Sequence, residues 1–473
     1  MKRASLLAII LTFLTAGCSQ FTSSKRDLAP ELNLAIPELW ASAGSGNQGK
    51  MAVGWLAKFE DKEMKALIDE AMQHNHNLRA TAANLRSARL GTIIGRANRL
   101  PSVSAGLSGS RSSSRSQQAD GDLGPWDQSE NYNLSLNTSW EVDLWGRLRN
   151  LEQASINDYQ AALADFRGAR LSLAANTARS WIGLIAAGRQ VDAAIQTRDS
   201  FARNLKITEG NFKAGDPTST SLDVAFGRNN VASAERSLLA RKLGRDNAAR
   251  SLEILLGRYP GATIQEPGEL PAMPADVPSG LPSELLMRRP DLVAAAARVR
   301  ASAQRTEASR KSLLPSIRLS SGGSTSSPQL LNLIADPRSI GWNVAASLAQ
   351  SVYRGGALTA QVKQSYERNQ AVIESFADAA LRAFREVEAA LAADRSLAEQ
   401  EAYLDTEYRE ALASERRAER DFNLGLIGTL EQLEAQRRLN GARSSAIGLR
   451  NQRLQNRIDL HLALGGDFET QAP

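Results

Sequence analysis

The sequence has little of what builds most enzyme sites and thick cores. Its 473 residues include one cysteine and three histidines, and only 5% are aromatic. The single cysteine, Cys18, excludes an intramolecular disulfide. His74 and His76 are two residues apart, so on one helix their rings would point to different faces, and His461 is remote in sequence. With no glycine-rich phosphate loop, nucleophile motif or Cys/His cluster, the sequence predicts neither an enzyme nor a metal or cofactor site.

An excess of one charge sign is also lacking. Lys and Arg total 57 against 51 Asp and Glu, a formal net charge of +6, and the two signs are interspersed. Without a basic stripe interleaved with aromatics, a nucleic-acid partner is not predicted. Helix-favouring Ala, Leu, Arg, Gln and Glu are abundant, and hydrophobic residues make up 42%. This composition favours long, thin helices over a thick globule.

The N-terminus carries an apolar run, Ala4 to Leu14, that is too short to span a bilayer but typical of a signal peptide. The motif that follows, Leu14-Thr15-Ala16-Gly17-Cys18, resembles the bacterial lipobox, whose cysteine is acylated and becomes the first mature residue. We therefore predict a signal peptide over 1–17 and a covalent lipid, N-acyl and S-diacylglycerol, on Cys18. Ser19 in the next position is typical of lipoproteins sorted to the outer membrane. The alternative is an ordinary signal peptide with a chance cysteine.

The rest of the chain is an internal duplication with a period of about 210 residues. Residues 77–86, 100–103 and 142–148 match residues 291–300, 314–317 and 352–358. The sequence of each copy predicts, in this order, a helix of about 35 residues, two strands around a Ser/Gly-rich loop, a very long helix and a final helix. The predicted boundaries are an N-terminal lipidated segment at 18–62, a first repeat at 63–257, a Pro/Gly-rich connector at 258–280, a second repeat at 281–466 and a tail at 467–473.

The very long helices are predicted from about Arg147 to Lys213 and from Ala357 to Asn423, and each approaches 100 Å at about 1.5 Å per residue. Apolar residues from Leu171 to Ile185 are spaced by four and three residues alternately, which is typical of a coiled-coil seam. Many seam positions are alanine, which lets helices approach closely. An ordinary two-stranded coiled coil is the alternative for this stretch.

The predicted strands each have one apolar and one polar face. Apolar and polar residues alternate from Tyr132 to Asp143, and the matching stretch is Ile340 to Ala349, with shorter partners starting at Val103 and Ile317. Six aromatic residues flank them where interfacial aromatics of a membrane barrel would lie: Trp126, Tyr132, Trp140, Trp145, Trp342 and Tyr353. The alternative is two hairpins packed on a soluble body.

If these strands cross a membrane, several chains must share one barrel. Beyond Leu14 no apolar stretch is long enough for a transmembrane helix, so a crossing would have to use strands. A sheet in lipid has to close on itself, and about eight strands is the smallest common barrel. Two chains with four strands each would supply eight and three would supply twelve, so these residues leave the number of copies open.

Two motifs give the chain a close resemblance to the TolC-type outer-membrane efflux proteins, lipoprotein branch. They are Gly-Leu-Pro-Ser-Glu-Leu-Leu-Met-Arg-Arg-Pro-Asp at 280–291 and Trp-Glu-Val-Asp-Leu-Trp-Gly-Arg-Leu at 140–148. The resemblance implies a mainly α fold with a membrane β-barrel. It implies a homotrimer with a shared twelve-stranded β-barrel, a periplasmic α-barrel of twelve helices and a mixed equatorial domain.

The function implied by the resemblance is the outer-membrane channel of a tripartite efflux pump, a passive exit duct for drugs and other small molecules. The expected location is the outer membrane, with a lipid anchor and a periplasmic extension. The expected partners are a periplasmic adaptor protein, an inner-membrane pump of the RND type and outer-membrane lipid. Two alternatives stay open: a lipid-anchored periplasmic coiled-coil scaffold or adaptor without a pore, and a type I exit duct for secreted proteins.

The resemblance also implies a gate at the periplasmic tip. The matching positions are Leu430 for an apolar ring, Glu434 for an acidic ring, Glu431 for a further acidic position and Asp223 in the first-repeat turn. Some relatives hold such an aspartate with a tyrosine and an arginine, but Phe422 and Ile427 stand in those places here. We therefore expect closure by the leucine and glutamate rings without that lock. Solvated surface glutamates are the alternative.

Overall fold

The computed structural model describes residues 37, 39–42, 54–117, 121–216, 219–274, 277, 282–335 and 340–466. The predicted signal peptide, the lipidated Cys18 and the tail from residue 467 lie outside the described residues. Parts of the N-terminal segment and of the connector also lie outside them.

Both halves of the chain contain the same order of elements. The first has a 3₁₀ turn (Trp55–Phe59), α1 (Lys62–His74), α2 (His76–Ala97), β1 (Ser102–Ser114), β2 (Asp127–Val142), α3 (Arg147–Ala214) and α4 (Ser221–Leu255). The second has α5 (Pro282–Arg288), α6 (Pro290–Lys311), β3 (Ser316–Ser327), the single turn α7 (Asn332–Ala335), β4 (Ile340–Ala349), α8 (Ala357–Asn423) and α9 (Thr429–Ala463). The mainly helical, duplicated fold is confirmed.

Helices α3 and α8 are the two very long helices, with 68 and 67 residues. At about 1.5 Å per residue each spans about 100 Å. Their ends are set by glycines in the left-handed region: Gly146 (φ +73°) and Gly356 (φ +81°) precede them, and Gly215 (φ +79°) and Gly425 (φ +70°) follow. Residues with a side chain rarely adopt this conformation, so the glycines fix where each helix begins and ends.

The first helix of each repeat is not continuous, contrary to the prediction of one helix of about 35 residues. Asn75 is extended (ψ 121°) and caps both neighbours: its N–H donates to Ala71 O at 2.9 Å, and its Oδ1 accepts from Leu78 N at 2.9 Å. His74 and His76 therefore lie on two helices, α1 and α2. In the second repeat the break is at Arg289, because the following proline disfavours helix in the preceding residue.

The four strands form one antiparallel sheet in the order β1-β2-β3-β4. Strand β3, predicted to be the shorter partner, has 12 residues and is longer than β4, which has 10. That prediction was wrong because pairing continues along a run of serine and glycine that has no apolar alternation to reveal it.

Two apolar cores form where the helices of the repeats meet. The first joins α1, α3, α4 and α9 and includes Trp55, Ile68, Trp181, Leu252 and Leu454. The second joins α6, α8 and α9 and includes Trp40, Leu292, Val387 and Leu460. Helix α9 contributes to both, so it ties the repeats together. Within α3, Ala174, Ala175 and Ala178 are fully buried, and the missing side-chain bulk allows close helix packing.

None of the helices in the described ranges combines the length and the apolar character required to cross a membrane.

Candidate functional site

One face of the sheet carries the apolar side chains of all four strands. The register joins Leu107 to Leu134, Trp140 to Leu319 and Ile317 to Leu348, so the apolar residues of all four strands lie on the same side. On β3 these are only Ile317 and Leu319, and serine, glycine and threonine follow them on this side. We call this side the apolar face. Trp342 and Val344 on it are 80% and 74% exposed in the single chain. A contiguous exposed apolar surface of this kind marks contact with lipid or protein.

The opposite side, which we call the polar face, consists almost entirely of small polar residues. It carries Ser102, Ser104, Gly106, Ser108, Ser110, Asn131, Asn133, Ser135, Asn137, Ser139, Ser320, Gly322, Ser324, Ser326, Gly341, Asn343, Ala345 and Ser347. Near the helices the polar face carries charged residues, with Glu141 of β2 opposite Arg318 of β3. A sheet with lipid on one side and water on the other shows this division.

The height of the apolar face fits a membrane. On β2 it runs from Tyr132 to Val142, about 33 Å along the strand. A tilt of about 40° reduces this to about 25 Å, the height of the apolar band of a membrane barrel. Strands β1 and β4 are the two edges of the sheet and each pairs with only one neighbour in the described chain. Their outer backbone groups are available to strands of another copy.

The six predicted interfacial aromatics divide between the two ends of the strands. Trp126, Tyr132 and Trp342 lie toward the loop ends, and Trp126 contacts the Arg115 guanidinium, 5.9 Å from the ring centroid. Trp140, Trp145 and Tyr353 lie toward the helices. The Trp140 indole donates to Arg99 O at 2.8 Å and the Trp145 indole to Pro315 O at 2.7 Å, while Tyr353 is exposed. Their contact with a membrane interface stays a prediction.

The junction of sheet and helix explains the motif at 140–148. Asp143 accepts hydrogen bonds from the backbone N–H groups of Leu148 (3.0 Å) and Arg149 (2.7 Å), which lie in the first turn of α3. Glu141 forms an ion pair with Arg147 at 2.7 Å. A carboxylate at a helix N-terminus is favoured by the helix dipole. These contacts fix the strand to the long helix, a role that the sequence analysis did not assign.

The second-repeat part of the predicted gate lies on the first turns of α9. Leu430 is 66% exposed, and Glu431 and Glu434 are exposed as well. Glu434 accepts from Arg438 Nε at 2.9 Å, one turn further along the same helix. Leu430 and Glu434 are four residues apart, so they share one helix face. Both side chains are thus available to meet equivalent residues of other copies.

Asp223 has a local partner that the sequence analysis missed. Its carboxylate accepts from the N–H of Thr220 at 2.9 Å and from Thr220 Oγ1 at 2.6 Å, while its own N–H donates to Thr220 Oγ1 at 3.3 Å. This capping box starts α4. The Thr-x-x-Asp spacing at 220–223 could have revealed it. Asp223 therefore stabilises the turn of the first repeat directly.

The packing between α3, α4 and α9 becomes polar toward this tip. Phe201, Ala234 and Leu433 form a small apolar cluster. Six amide or hydroxyl side chains of these helices are also buried toward the tip: Asn204, Thr208, Asn230, Thr429, Gln432 and Gln436. Arg437 donates to Asn230 Oδ1 at 2.9 Å and so links α9 to α4. The tip therefore has less apolar stabilisation than the two main cores.

A sheet with two chemically opposite faces, continuous with helices about 100 Å long, defines a channel-type membrane protein. Residues 67–258 and 281–466 match the sequence profile of the outer membrane efflux protein family. The chain belongs to the outer membrane efflux protein family.

Curated relatives match over almost the whole chain. The chain is 28% identical over 470 residues to outer membrane protein OprJ of Pseudomonas aeruginosa, covering 98% of this chain and 95% of OprJ. It is 28% identical over 477 residues to the cation efflux system protein CusC of Escherichia coli, covering 99% and 100%. A crystal structure of CusC is similar with a TM-score of 0.79 at 27% identity, over 91% of this chain and 97% of that one.

The outer-membrane channel OprN has the same fold. Its structure matches this chain with a TM-score of 0.82 at 24% identity, over 92% of this chain and 97% of that one. These relatives are channel and transport proteins. The chain is thus an outer-membrane channel component of an efflux system, with helices that extend into the periplasm.

Proposed function

We propose that three copies of this chain form one passive exit duct. Twelve strands would close a shared barrel in the outer membrane, and twelve helices would form a tunnel across the periplasm. The observation that carries this proposal is the two-faced sheet with two open edges, because four strands cannot close a barrel alone and open edges are not tolerated in lipid. The chain is proposed to conduct solutes and not to act as an enzyme.

The proposed partners are a periplasmic adaptor protein and an inner-membrane pump of the RND type, which supplies the energy. The proposed cargo is drugs and other small molecules. Relatives of this chain at 28–29% identity include a cation efflux protein, a toluene efflux pump component and an antibiotic efflux pump component. This variety of cargo among similar channels supports a duct that leaves the choice of substrate to its pump.

At the periplasmic tip, Leu430 and Glu434 of three copies are proposed to form stacked apolar and acidic rings, with Glu431 beside them. Carboxylate rings attract cations, and the leucine ring narrows the passage. The exposure of Leu430 in the single chain and its shared face with Glu434 support this arrangement. At the N-terminus of the mature chain, acyl chains on Cys18 are proposed to anchor the protein in outer-membrane lipid.

Neighbouring residues on opposite faces of β2 provide a matched test. Leu136→Arg places a charge on the apolar face, at a cost of about 2–4 kcal/mol per copy in lipid. Ser135→Arg places the same charge on the polar face. We expect Leu136→Arg to prevent barrel insertion and to form no pore in a planar bilayer, although the proposed lipid on Cys18 would still hold the chain in outer-membrane fractions. We expect Ser135→Arg to insert normally and to change ion selectivity in the same bilayer. Equal insertion of both variants would favour the scaffold alternative, and conduction without any role in drug resistance would favour a protein-secretion duct.

A further inference from the structure

The polar face of the sheet has a specific arrangement at its asparagines. Between the loop ends of the strands and the row of Glu141 and Arg318, the register places only serine, asparagine, glycine and alanine on this face. Asparagine has the longest side chain among these four residue types. If the polar face lines the passage, as the proposed function requires, the asparagines reach furthest into it.

Two of the asparagines lie in one row of the sheet with a glycine between them. Asn137 on β2 pairs with Gly322 on β3, and Gly322 pairs with Asn343 on β4. A Cβ atom on Gly322 would lie 3.0 Å from Asn137 Oδ1 and 2.9 Å from Asn343 Oδ1. The two amide oxygens therefore converge over the glycine, within about 6 Å of each other. Any other residue at 322 would fill this space.

Hydrogen bonding sets which atom of Asn137 faces the glycine. Its Nδ2 donates to Ser135 Oγ at 3.3 Å, which leaves Oδ1 directed toward Gly322. Among the described residues, neither Asn137 Oδ1 nor Asn343 Oδ1 accepts a hydrogen bond, and Asn343 is exposed. Two uncharged acceptors thus face the same point on the polar face.

We infer that Asn137 and Asn343, held over Gly322, form a contact site for the hydrogen-bond donors of solutes that leave through the barrel. The inference rests on the proposed function, because the polar face must line the duct. The ligand class is uncharged or weakly charged solutes rich in O–H and N–H groups. Amide oxygens accept hydrogen bonds from such groups without carrying a formal charge, so the contact is weaker and briefer than one with a carboxylate. Three copies would give three such sites around the barrel.

The test uses the purified full-length trimer in a planar lipid bilayer. The probe is a linear malto-oligosaccharide, and the control solute is a poly(ethylene glycol) of equal hydrodynamic radius that lacks internal donors. We expect the Asn137→Ala/Asn343→Ala variant to shorten the current blockades by the sugar about two- to tenfold, the loss expected for one or two hydrogen bonds. Blockades by the poly(ethylene glycol) should be unchanged.

Two further variants make the readout specific. Gly322→Ala puts a methyl group where the amide oxygens converge, so it should shorten the sugar blockades even though both asparagines remain. Asn133→Ala removes the same side chain from the same face of β2, outside this row, and should leave them unchanged. If Asn133→Ala has the same effect as the double variant, or if none has an effect on an open pore, the inference is overturned while the duct stands. A protein that forms no pore at all would overturn both.

Discussion

The side-chain amide of Asn75 donates to the backbone carbonyl of Leu255 at 2.9 Å, and so joins the break between α1 and α2 to the end of α4. The second repeat has the equivalent contact, because Arg289, at the break between α5 and α6, donates to Ala463 O at 3.3 Å at the end of α9. The residues differ, yet in both repeats a side chain at the break in the first helix donates a hydrogen bond to the C-terminal end of the last helix. The first and last helices of each repeat are thus joined by an equivalent contact.

Gly257, which follows α4, is a sensitive point of this closure. Its φ is +74°, and an added Cβ would lie 2.7 Å from the carbonyl oxygen of His74. We expect Gly257→Ala to destabilise the protein by about 1–3 kcal/mol, since both strain and a backbone clash are introduced. Gly244→Ala is the matched control, because it lies within α4 with no atom near the added Cβ and should stabilise by about 0.5–1 kcal/mol. Thermal unfolding followed by circular dichroism measures both.

Glu253 holds the connector onto the first repeat. Its fully buried carboxylate accepts from Ala262 N at 2.7 Å, Thr263 N at 2.6 Å and Thr263 Oγ1 at 2.9 Å. Burial raises the pKa of this group, but the hydrogen bonds from the backbone outweigh burial and lower the pKa below its ordinary value of 4.5. Stability from this carboxylate is therefore present above the pKa of the unfolded chain and is lost as pH falls through the folded pKa.

We expect Glu253→Gln to cost about 1–3 kcal/mol at neutral pH, since an amide cannot replace a carboxylate that accepts several bonds. The difference from the wild type should shrink as pH falls from the pKa of the unfolded chain toward the lower pKa of the folded carboxylate, because the wild-type carboxylate takes up its proton in that window. Urea unfolding across this pH range measures it. Glu269→Gln, at an exposed connector position, is the control and should have no effect. A loss at Glu253 that is equal at every pH would contradict the role of its charge.

His461 makes the protein less stable in acid. It is buried on α9, stacked on Trp55 with ring centroids 5.3 Å apart, and burial, with Lys58 and Arg457 nearby, lowers its pKa from 6.5 to about 3. The unfolded chain therefore binds a proton between pH 6.5 and 3 that the folded chain excludes, and stability falls through this window as pH falls. His461→Phe keeps an aromatic ring beside Trp55 but cannot bind a proton. The wild type should lose about 2 kcal/mol more than this variant between pH 7.5 and pH 5.

The tip residues are expected to limit leakage. Leu430→Ala/Glu434→Ala removes both proposed rings, so cells that carry it should become more sensitive to a large antibiotic that the outer membrane normally excludes. The measurement is the minimal inhibitory concentration in a strain without other efflux channels. Leu239→Ala, an equally exposed leucine on α4, is the control and should not change susceptibility. Unchanged susceptibility of the double variant would count against the gate.

Periodicity predicted the parts of this fold that depend on local chemistry. The helices from Arg147 and from Ala357 and the alternating faces of β2 and β4 were predictable because each residue's environment follows its position in a short repeat. The contact of Glu253 with the connector and the convergence of Asn137 and Asn343 were not, since each joins elements whose pairing no local pattern specifies.

The break at Asn75 was missed for a different reason. An asparagine within a helical pattern is compatible with a helix interior, and the contact that supports the break, with the carbonyl of Leu255, lies 180 residues away in the sequence. The capping box of Asp223, by contrast, follows from a local pattern, the Thr-x-x-Asp spacing at 220–223.

The number of chains in one detergent-solubilised particle tests the account most directly. Native mass spectrometry of the mature protein should find three copies that separate only on heating, and the same particle should conduct ions in a planar bilayer. A single chain that stays in aqueous solution without detergent once its acyl group is absent would contradict the shared barrel, since the apolar face would then have no lipid to contact.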